Sequence, residues 1–588
     1  MNDTGGRPWK AALMDRSADA RPAVEAPAVA RSERLAWTGS LLTRLSRPML
    51  EAFYGAGYWR SDTIYALARD HAERTPDRFA VRDGRGALTY AELIDLAETI
   101  GADLAAAGLQ PGDRVAVWIS ARVEMAAYLL ACSRHRFVLC PSLHRNHTVD
   151  EVATLLSRVR ASALAAERGY GADGERADIF AAAEMLGHIQ RIHRLDAPQG
   201  AGVDPALGDL APSTVETVVE PDPDSVVYLA FTSGTTGEPK GVMHSDNTLL
   251  SNARELRADW GFGAESVIYT MSPLSHNLGF GALVLSLLSG GELVVHDAPR
   301  GARLSERLGA VGATFLFGVP AHAMDLLDEL RAGGGGLERL RGFRVSGAAA
   351  PAHVVEGLRD FGVIVQSGYG MTEACSHHYT RPEDDPSLVV GSSGRACRNY
   401  EIRIFAQDDP DRPLPTGEIG QIGGRGASLM LGYFDNQRAT EAAFNRGGWF
   451  MTGDLGWVDD AGYVRVTGRI KDVIIRGGHN IYPAHIEALA MRHPSVERAA
   501  ALPVKDERLG ERVCIAVVPR DGGHVDPDQL LEHLDAAGLS KYDMPEYFLE
   551  LEQIPLSANG KVLKRALVGP LEEGRLTPRP IRFRSRSQ

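Results

Sequence analysis

The stretch Phe231 to Gly241, FTSGTTGEPKG, constrains this chain more than any other. It gathers Thr232, Ser233, Thr235 and Thr236 around Gly234, adds Gly237 and ends at Lys240. Small hydroxyl side chains and flexible glycines let backbone N–H groups curl around an anion. A lysine at the end adds a mobile point charge suited to a polyphosphate. The apolar run Val226 to Ala230 just before it reads as a buried strand, and a phosphate loop that follows a strand is a known arrangement. A plain polar turn needs one or two such residues, not a continuous run. The pattern differs from G-x-x-x-x-G-K-[ST], because Lys240 follows Pro239 and precedes Gly241.

With 588 residues the chain is long enough for several domains and a large core. Its 44% hydrophobic and 24% charged content is ordinary for a globular protein. The formal net charge of -13 argues against an electrostatic nucleic-acid binder. Five scattered cysteines fit free thiols in a reducing compartment better than a disulfide framework. No apolar run reaches the length of a membrane span, and the N-terminus lacks the apolar core of a secretory signal. A cytoplasmic location without membrane association is expected.

Residues 1–50 read as a disordered or helical tail, with Leu35 to Phe53 as the helical part. From Thr63 strands alternate with helices: strands at Phe79 to Arg82, Arg114 to Ile119 and Phe137 to Pro141, with helices opened by the Thr89–Glu92 capping box and at Val123. The same grammar returns with strands at Val267 to Met271, Glu292 to His296, Thr314 to Val319 and Val363 to Gln366. This predicts an α/β fold with mixed, mostly parallel sheets. Shorter strands after about Gly391 suggest a β-rich subdomain, so that one large domain spans 51–468. A small α+β domain is expected over 469–570, and the basic residues 571–588 read as a solvated, disordered tail.

Three further motifs bear chemistry. Gly368-Tyr-Gly-Met-Thr-Glu373 follows the Val363 to Gln366 strand and offers one acid; Mg²⁺ typically takes one or two protein carboxylates and completes its shell with phosphate oxygens and water. Thr452-Gly-Asp454 is expected in a turn after Trp449-Phe450, where its carboxylate could accept two donors at once or simply serve the turn. Pro555-Leu-Ser-Ala-Asn-Gly-Lys561 closes the series. Cys375, His377 and His378 cluster in sequence, but zinc ligands usually come as two separated pairs, which argues against a metal there.

In this order, from about Thr63 to Leu567, the motifs resemble those of the adenylate-forming superfamily: acyl-CoA synthetases, adenylation domains of peptide synthetases, and luciferases. The last domain, with GGHNIYPAHIE, looks most like CoA ligases for cyclohexanecarboxylate and related alicyclic or aryl acids. The resemblance implies ATP, Mg²⁺ and CoA as cofactors and co-substrates. It implies ATP or AMP contacts from Thr232, Ser233, Gly234, Thr235, Thr236, Gly237 and Lys240, adenine stacking on Tyr369 beside Gly370, an α-phosphate contact from Thr372 and a metal contact from Glu373. Asp454 and Arg469 would grip the ribose, and Lys561 would act in adenylation. The small domain would be mobile about Lys471, with Gly477 and Gly478 lining a pantetheine tunnel. His276 would gate an acid pocket walled by Asn277, Gly281, Gly347, Ala348 and Ala349.

Those stretches hold no lysine or arginine for a second carboxylate, which points to a monocarboxylic acid with a compact, mostly apolar body. The rival within the fold is an aryl-acid adenylating enzyme that loads a separate carrier protein, since the His276-Asn277 pair occurs there too. A luciferase-type oxygenase shares Lys471 and nothing else specific. A non-catalytic partner protein is disfavoured by Glu373, Asp454 and Lys561. Oligomeric state stays open, a homodimer among the options.

Overall fold

The computed structural model describes residues 43–198, 202–210, 219–232, 239–297, 301–335, 337–347, 350–477, 479–556 and 562–583. It divides into two compact units, one of residues 1–401 with 425–450 and one of residues 402–424 with 451–588. The sequence reading drew its boundary at Gly468; the contacts instead group the β-rich segment with the C-terminal part.

The first unit is built on two sheets. One has seven strands in the order Gly432–Tyr433, Lys240–Ser245, Val226–Thr232, Val138–Cys140, Arg114–Trp118, Ala163–Glu167, Arg191–Leu195. Its five latter strands run parallel, and Lys240–Ser245 turns back antiparallel on Val226–Thr232. The other has nine strands, with Gly342–Ser346 between Ile364–Met371 and Phe315–Gly318, and with antiparallel strands Ala87–Thr89, Cys375–Tyr379 and Arg395–Ala396 at its two ends. Parallel strands covered on both faces read as continuous apolar runs, and Arg114–Trp118 and Glu292–Val295 are buried throughout.

Local chemistry starts the helices where the sequence placed them. Thr89 caps Tyr90–Ala106 by a reciprocal capping box with Glu92, and Ser245 caps Asp246–Trp260. The helix expected over Leu35 to Phe53 is described as Arg47–Gly55. It packs on the first unit: Phe53 is fully buried in the core, and the Tyr54 hydroxyl donates to Asp224 at 3.0 Å. No described helix is long and apolar enough to cross a membrane. All five cysteines are buried and unpaired.

The second unit holds a four-stranded sheet, ordered Tyr400–Phe405, Gly420–Gly426, Phe450–Val458, Val464–Arg469, and a six-stranded sheet around the long hairpin Val496–Asp506 and Gly510–Pro519. The basic segment expected as a solvated tail is structured as far as residue 583. Arg579–Pro580 pairs antiparallel with Tyr547–Glu550, and Ile581 and Phe583 pack on the core, because apolar side chains interrupt the arginines. Residues 584–588 lie outside the described set.

One buried charge network anchors the seven-stranded sheet. Arg122, 1% exposed, meets Glu124 at 2.9 Å, Asp204 at 3.0 Å and Glu167 at 3.4 Å. Burial alone would lower its pKa, but these carboxylates overrule it and raise it. Removing one partner of such a set leaves uncompensated charge in the core. Arg122→Leu is therefore expected to cost about 3–5 kcal/mol of stability, read from denaturant midpoints; a loss below 1 kcal/mol would show that the network is not carrying the region.

Candidate functional site

The phosphate-loop motif joins two strands of one hairpin. Val226–Thr232 runs up to it and Lys240–Ser245 leaves it, with Thr232 opposite Lys240. The buried strand expected at Val226 to Ala230 is there, all five residues enclosed. Ser142 accepts from the Phe231 amide at 2.6 Å, fixing the end of the strand. Ser233, Gly234, Thr235, Thr236 and Gly237 lie outside the described residues.

Lys240 extends over the ring of Tyr433, its ammonium 4.8 Å from the centroid, within range of a cation–π attraction. The Tyr433 hydroxyl in turn donates to Glu373 Oε1 at 3.0 Å. Burial, then the Glu373 charge, raises the Tyr433 pKa, so the phenol keeps its proton. A cation, a phenol and a carboxylate from three distant stretches thus stand in a row. Backbone bonds set their spacing: Met430 N–H donates to the Glu373 carbonyl at 2.7 Å, and Gly432 and Tyr433 pair with Met243 and Val242 beside Lys240. Sequence reasoning missed Tyr433; a Gly-Tyr pair in a short apolar run reads as core and gives no signal of a site.

The Tyr369 to Glu373 segment is held from both sides. Its strand, Ile364–Met371, extends through the motif instead of ending before it, and Thr372 and Glu373 form the following turn. His244 Nε2 donates to the Thr372 carbonyl at 2.7 Å while Nδ1 lies 3.0 Å from the Thr248 hydroxyl. Asn277 Nδ2 donates to the Met371 carbonyl at 3.3 Å. Gly370 lies against the Cys375 carbonyl and the Ser376 Cα, leaving no room for a Cβ. Tyr369 meets His377 edge-on, centroids 5.0 Å apart.

His276 precedes the helix Asn277–Ser289 and stacks on His144 at 4.0 Å, and His144 Nδ1 lies 3.1 Å from the Ser275 hydroxyl. Burial, then His147, pushes the His144 pKa down to about 4, so His144 is uncharged at neutral pH. A Cβ at Gly281 would meet nothing within 4 Å, so open space adjoins that face of the helix. Gly347 adopts φ 94°, which favours glycine; Ala348 and Ala349 lie outside the described residues.

A basic side chain lies just outside the stretches named as pocket walls. Arg344 sits three residues before Gly347 in Gly342–Ser346 and is fully buried. The Cys375, His377 and His378 set is buried too. The Cys375 thiol is pushed up to about 12 by burial, and His377 is pushed down to about 3 by burial and then by the Arg344 charge. Among the described residues no group of three or more His, Cys, Asp or Glu could hold a metal ion.

In the second unit, Asp454 is not in a turn as expected. It lies within the strand Phe450–Val458, paired with Arg469 across the ladder, after Gly453 at φ 76°. A glycine with that φ and a shift in register let the strand continue through a turn-like dipeptide. Arg469 Nε meets Asp454 Oδ1 at 3.1 Å. Lys471 follows in the short helix Ile470–Asp472; burial, then Arg469, lowers its pKa. Gly477, at φ 59°, donates its N–H to the Leu509 carbonyl at 2.7 Å. Gly478 and Lys561 lie outside the described residues.

A family model for AMP-binding enzymes matches residues 68–434. The chain belongs to that family. A second model, the AMP-binding enzyme C-terminal domain, matches residues 485–561. The medium-chain fatty-acid–CoA ligase of Escherichia coli is 29% identical over 518 residues, covering 87% of this chain and 91% of that protein. A feruloyl-CoA synthase of an Amycolatopsis species is 32% identical over 494 residues, covering 84% and 96%. Among solved structures, ATP-bound MatB of Rhodopseudomonas palustris superposes with a TM-score of 0.77 at 28% identity, covering 87% of this chain and 99% of that one.

The buried neutral state of His244 makes a pH test possible. Burial lowers its pKa from 6.5 to about 4. The unfolded chain therefore takes the proton first, so the stability that His244 contributes is complete above about pH 6.5 and is lost as pH falls toward 4. His244→Gln, which cannot titrate, is expected to be less stable than the parent at neutral pH. The gap should narrow between pH 6.5 and 4 in urea titrations; a gap independent of pH would mean that the imidazole is not held neutral.

Proposed function

We propose that this AMP-binding enzyme is an ATP-dependent acid–CoA ligase for a monocarboxylic acid of alicyclic, aromatic or short-to-medium-chain type. A carboxylate oxygen attacks the α-phosphorus of ATP, the bond to pyrophosphate breaks, and acyl-AMP forms. The CoA thiol then attacks the acyl carbon and AMP leaves. The observation that carries the reading is the Lys240–Tyr433–Glu373 row beside the Thr372 turn. Its support from outside the chain is that relatives of nearly full coverage are named as a fatty-acid–CoA ligase and a feruloyl-CoA synthase.

The difficulty of the first step is that a carboxylate must approach a polyanion. Cations fixed where negative charge gathers lower that barrier. In this reading Lys240 serves the phosphates, Thr372 the α-phosphate and Lys561 the reacting centre. Tyr369 stacks on adenine, and Asp454 and Arg469 hold the ribose. Glu373 offers the hard carboxylate oxygen that suits Mg²⁺, which when bound neutralises phosphate charge. Tyr433 keeps Glu373 oriented through its hydroxyl. His276 and Asn277 stand at the entry to the acid site, with Gly281 and Gly347 as its walls. Lys471 takes the hinge position, and Gly477 and Gly478 flank the route of the thiol.

The second reading is transfer to a separate carrier protein in place of CoA. It is favoured by the His276-Asn277 pair, whose asparagine holds the Met371 carbonyl.

Acid-dependent exchange of labelled pyrophosphate into ATP is the direct test. Lys561→Ala should abolish exchange and spare thioester formation from pre-made acyl-AMP. Normal adenylation by that variant would remove the role given to Lys561. Acyl transfer seen only with a purified carrier protein, and not with free CoA, would decide for the second reading.

A further inference from the structure

Among the described residues of the first unit, two arginines are less than 2% exposed, and they are treated oppositely. Arg122 has three carboxylates in salt-bridge range. Arg344 has none among the described residues. Its Nη1 donates to Gln366 Oε1 at 2.6 Å, and its guanidinium lies 5.6 Å from the ring centroid of Tyr379. The hydroxyl of Tyr379 is turned away, donating to Asp259 at 2.9 Å, and Asp259 is shared with Arg381 at 3.3 Å. Arg344 Nε and Nη2 have no hydrogen-bond partner, nor does the Nε2 of Gln366 beside it. All of these orphaned groups are donors. Burial lowers the Arg344 pKa to about 10, which still leaves it charged at neutral pH.

Strand geometry says which way these donors face. Side chains alternate along a strand. Phe343, Val345 and Val365 enter the core under the helices Leu304–Val311, Pro320–Arg331 and Ala352–Asp360. Arg344 and Gln366, which are register partners, therefore point to the other face, with Ser346 and Gly368. On the sheet, the helix Asn277–Ser289 contacts Val267–Thr270, Phe315–Gly318 and Cys375–Tyr379, and the helix Asp246–Trp260 contacts Cys375–Tyr379. The guanidinium lies directly beneath Gly368: a Cβ there would fall 2.5 Å from Arg344 Nη2 and 3.0 Å from Ser346 Oγ. Gly368 opens the Tyr369–Glu373 motif, and Ser346 Oγ donates to its carbonyl at 3.2 Å. The guanidinium thus sits close to Ser346, the carboxyl end of its own strand, on the side of the sheet where open α/β folds bind their ligands.

An unmatched buried charge with unmade hydrogen bonds is costly, and a core arginine kept only for packing would be better as an apolar residue of similar volume. A bound molecule that supplies an acceptor removes that cost. We propose that Arg344, helped by Gln366, is a specificity-determining residue that reads a second oxygen acceptor on the acyl body of the acid, remote from the carboxylate that is activated. The inference rests on the acid–CoA ligase reading and sharpens its substrate class: the acyl body is not purely hydrocarbon but carries a keto, hydroxyl, sulfonate or similar oxygen. A site built to hydrogen-bond such a group discriminates strongly against the analogue without it, because its own buried donors are then left unpaired.

The test is acid-dependent pyrophosphate exchange with panels of acids matched in size, in which one ring or chain position bears a methylene, a ketone or a sulfonate. The parent enzyme is expected to favour an oxygen-bearing member by roughly a hundredfold or more in kcat/KM. Arg344→Met should erase that preference while changing the hydrocarbon acid by less than about threefold, within the range of a conservative core change. The ketone and sulfonate arms say whether the acceptor is neutral or anionic. Binding of a fluorescent ATP analogue verifies that the variant is folded. If it is not, Gly368→Ala, whose added methyl must displace the guanidinium, should lower the same ratio. A parent enzyme that prefers hydrocarbon acids, or a preference for oxygen that survives Arg344→Met, overturns the proposal. No exchange with any acid overturns the ligase reading itself.

Discussion

A short run of backbone, Met430 to Phe434, ties the candidate site together. Its amides make three bonds to two separate segments: to the Glu373 carbonyl at 2.7 Å, and to the Met243 and Gly241 carbonyls of one strand at 2.9 Å and 2.7 Å. Those bonds fix where Lys240 leaves its strand, where Glu373 turns, and where Tyr433 stands between them. Side chains carried by paired backbone need little ordering when a ligand arrives, which is what preorganisation requires of a site that handles concentrated charge. The neutral imidazole of His244, bonded to the Thr372 carbonyl, and the amide of Asn277, bonded to Met371, extend the same principle to the next residues of the motif.

Much of this was legible in the order of the amino acids, and the reasons differ by residue. Thr89 and Glu92 announce a helix start because their reciprocal bonding is local, and the helix begins at Tyr90. Val267–Thr270 was readable as a strand because buried parallel strands read as continuous apolar runs. Asp454 was read as a turn residue because glycine followed by aspartate favours turns. The ladder to Arg469 instead absorbs the pair by letting Gly453 take positive φ. The last arginine-rich stretch misled for a related reason: Ile581 and Phe583 are only two apolar residues among many charges, yet they find a core to pack on.

What no pattern could reveal is proximity between distant residues. Tyr433 lies 60 positions from the carboxylate it bonds. His244 lies 128 from the carbonyl it holds. Arg344 looks like any strand arginine until its surroundings are known. The contrast with Arg122 is a matter of company and not of type: the same guanidinium is raised in pKa amid acids and lowered where none is near.

The cysteines have a practical consequence. All five are enclosed, and burial pushes the thiols of Cys140, Cys375, Cys397 and Cys514 up to about 12 and raises that of Cys132 as well. Thiolates are the reactive form, so the native chain offers maleimide reagents almost no background. A pair of surface cysteines, one engineered into each compact unit, could carry donor and acceptor dyes without first stripping the protein of its own sulfur.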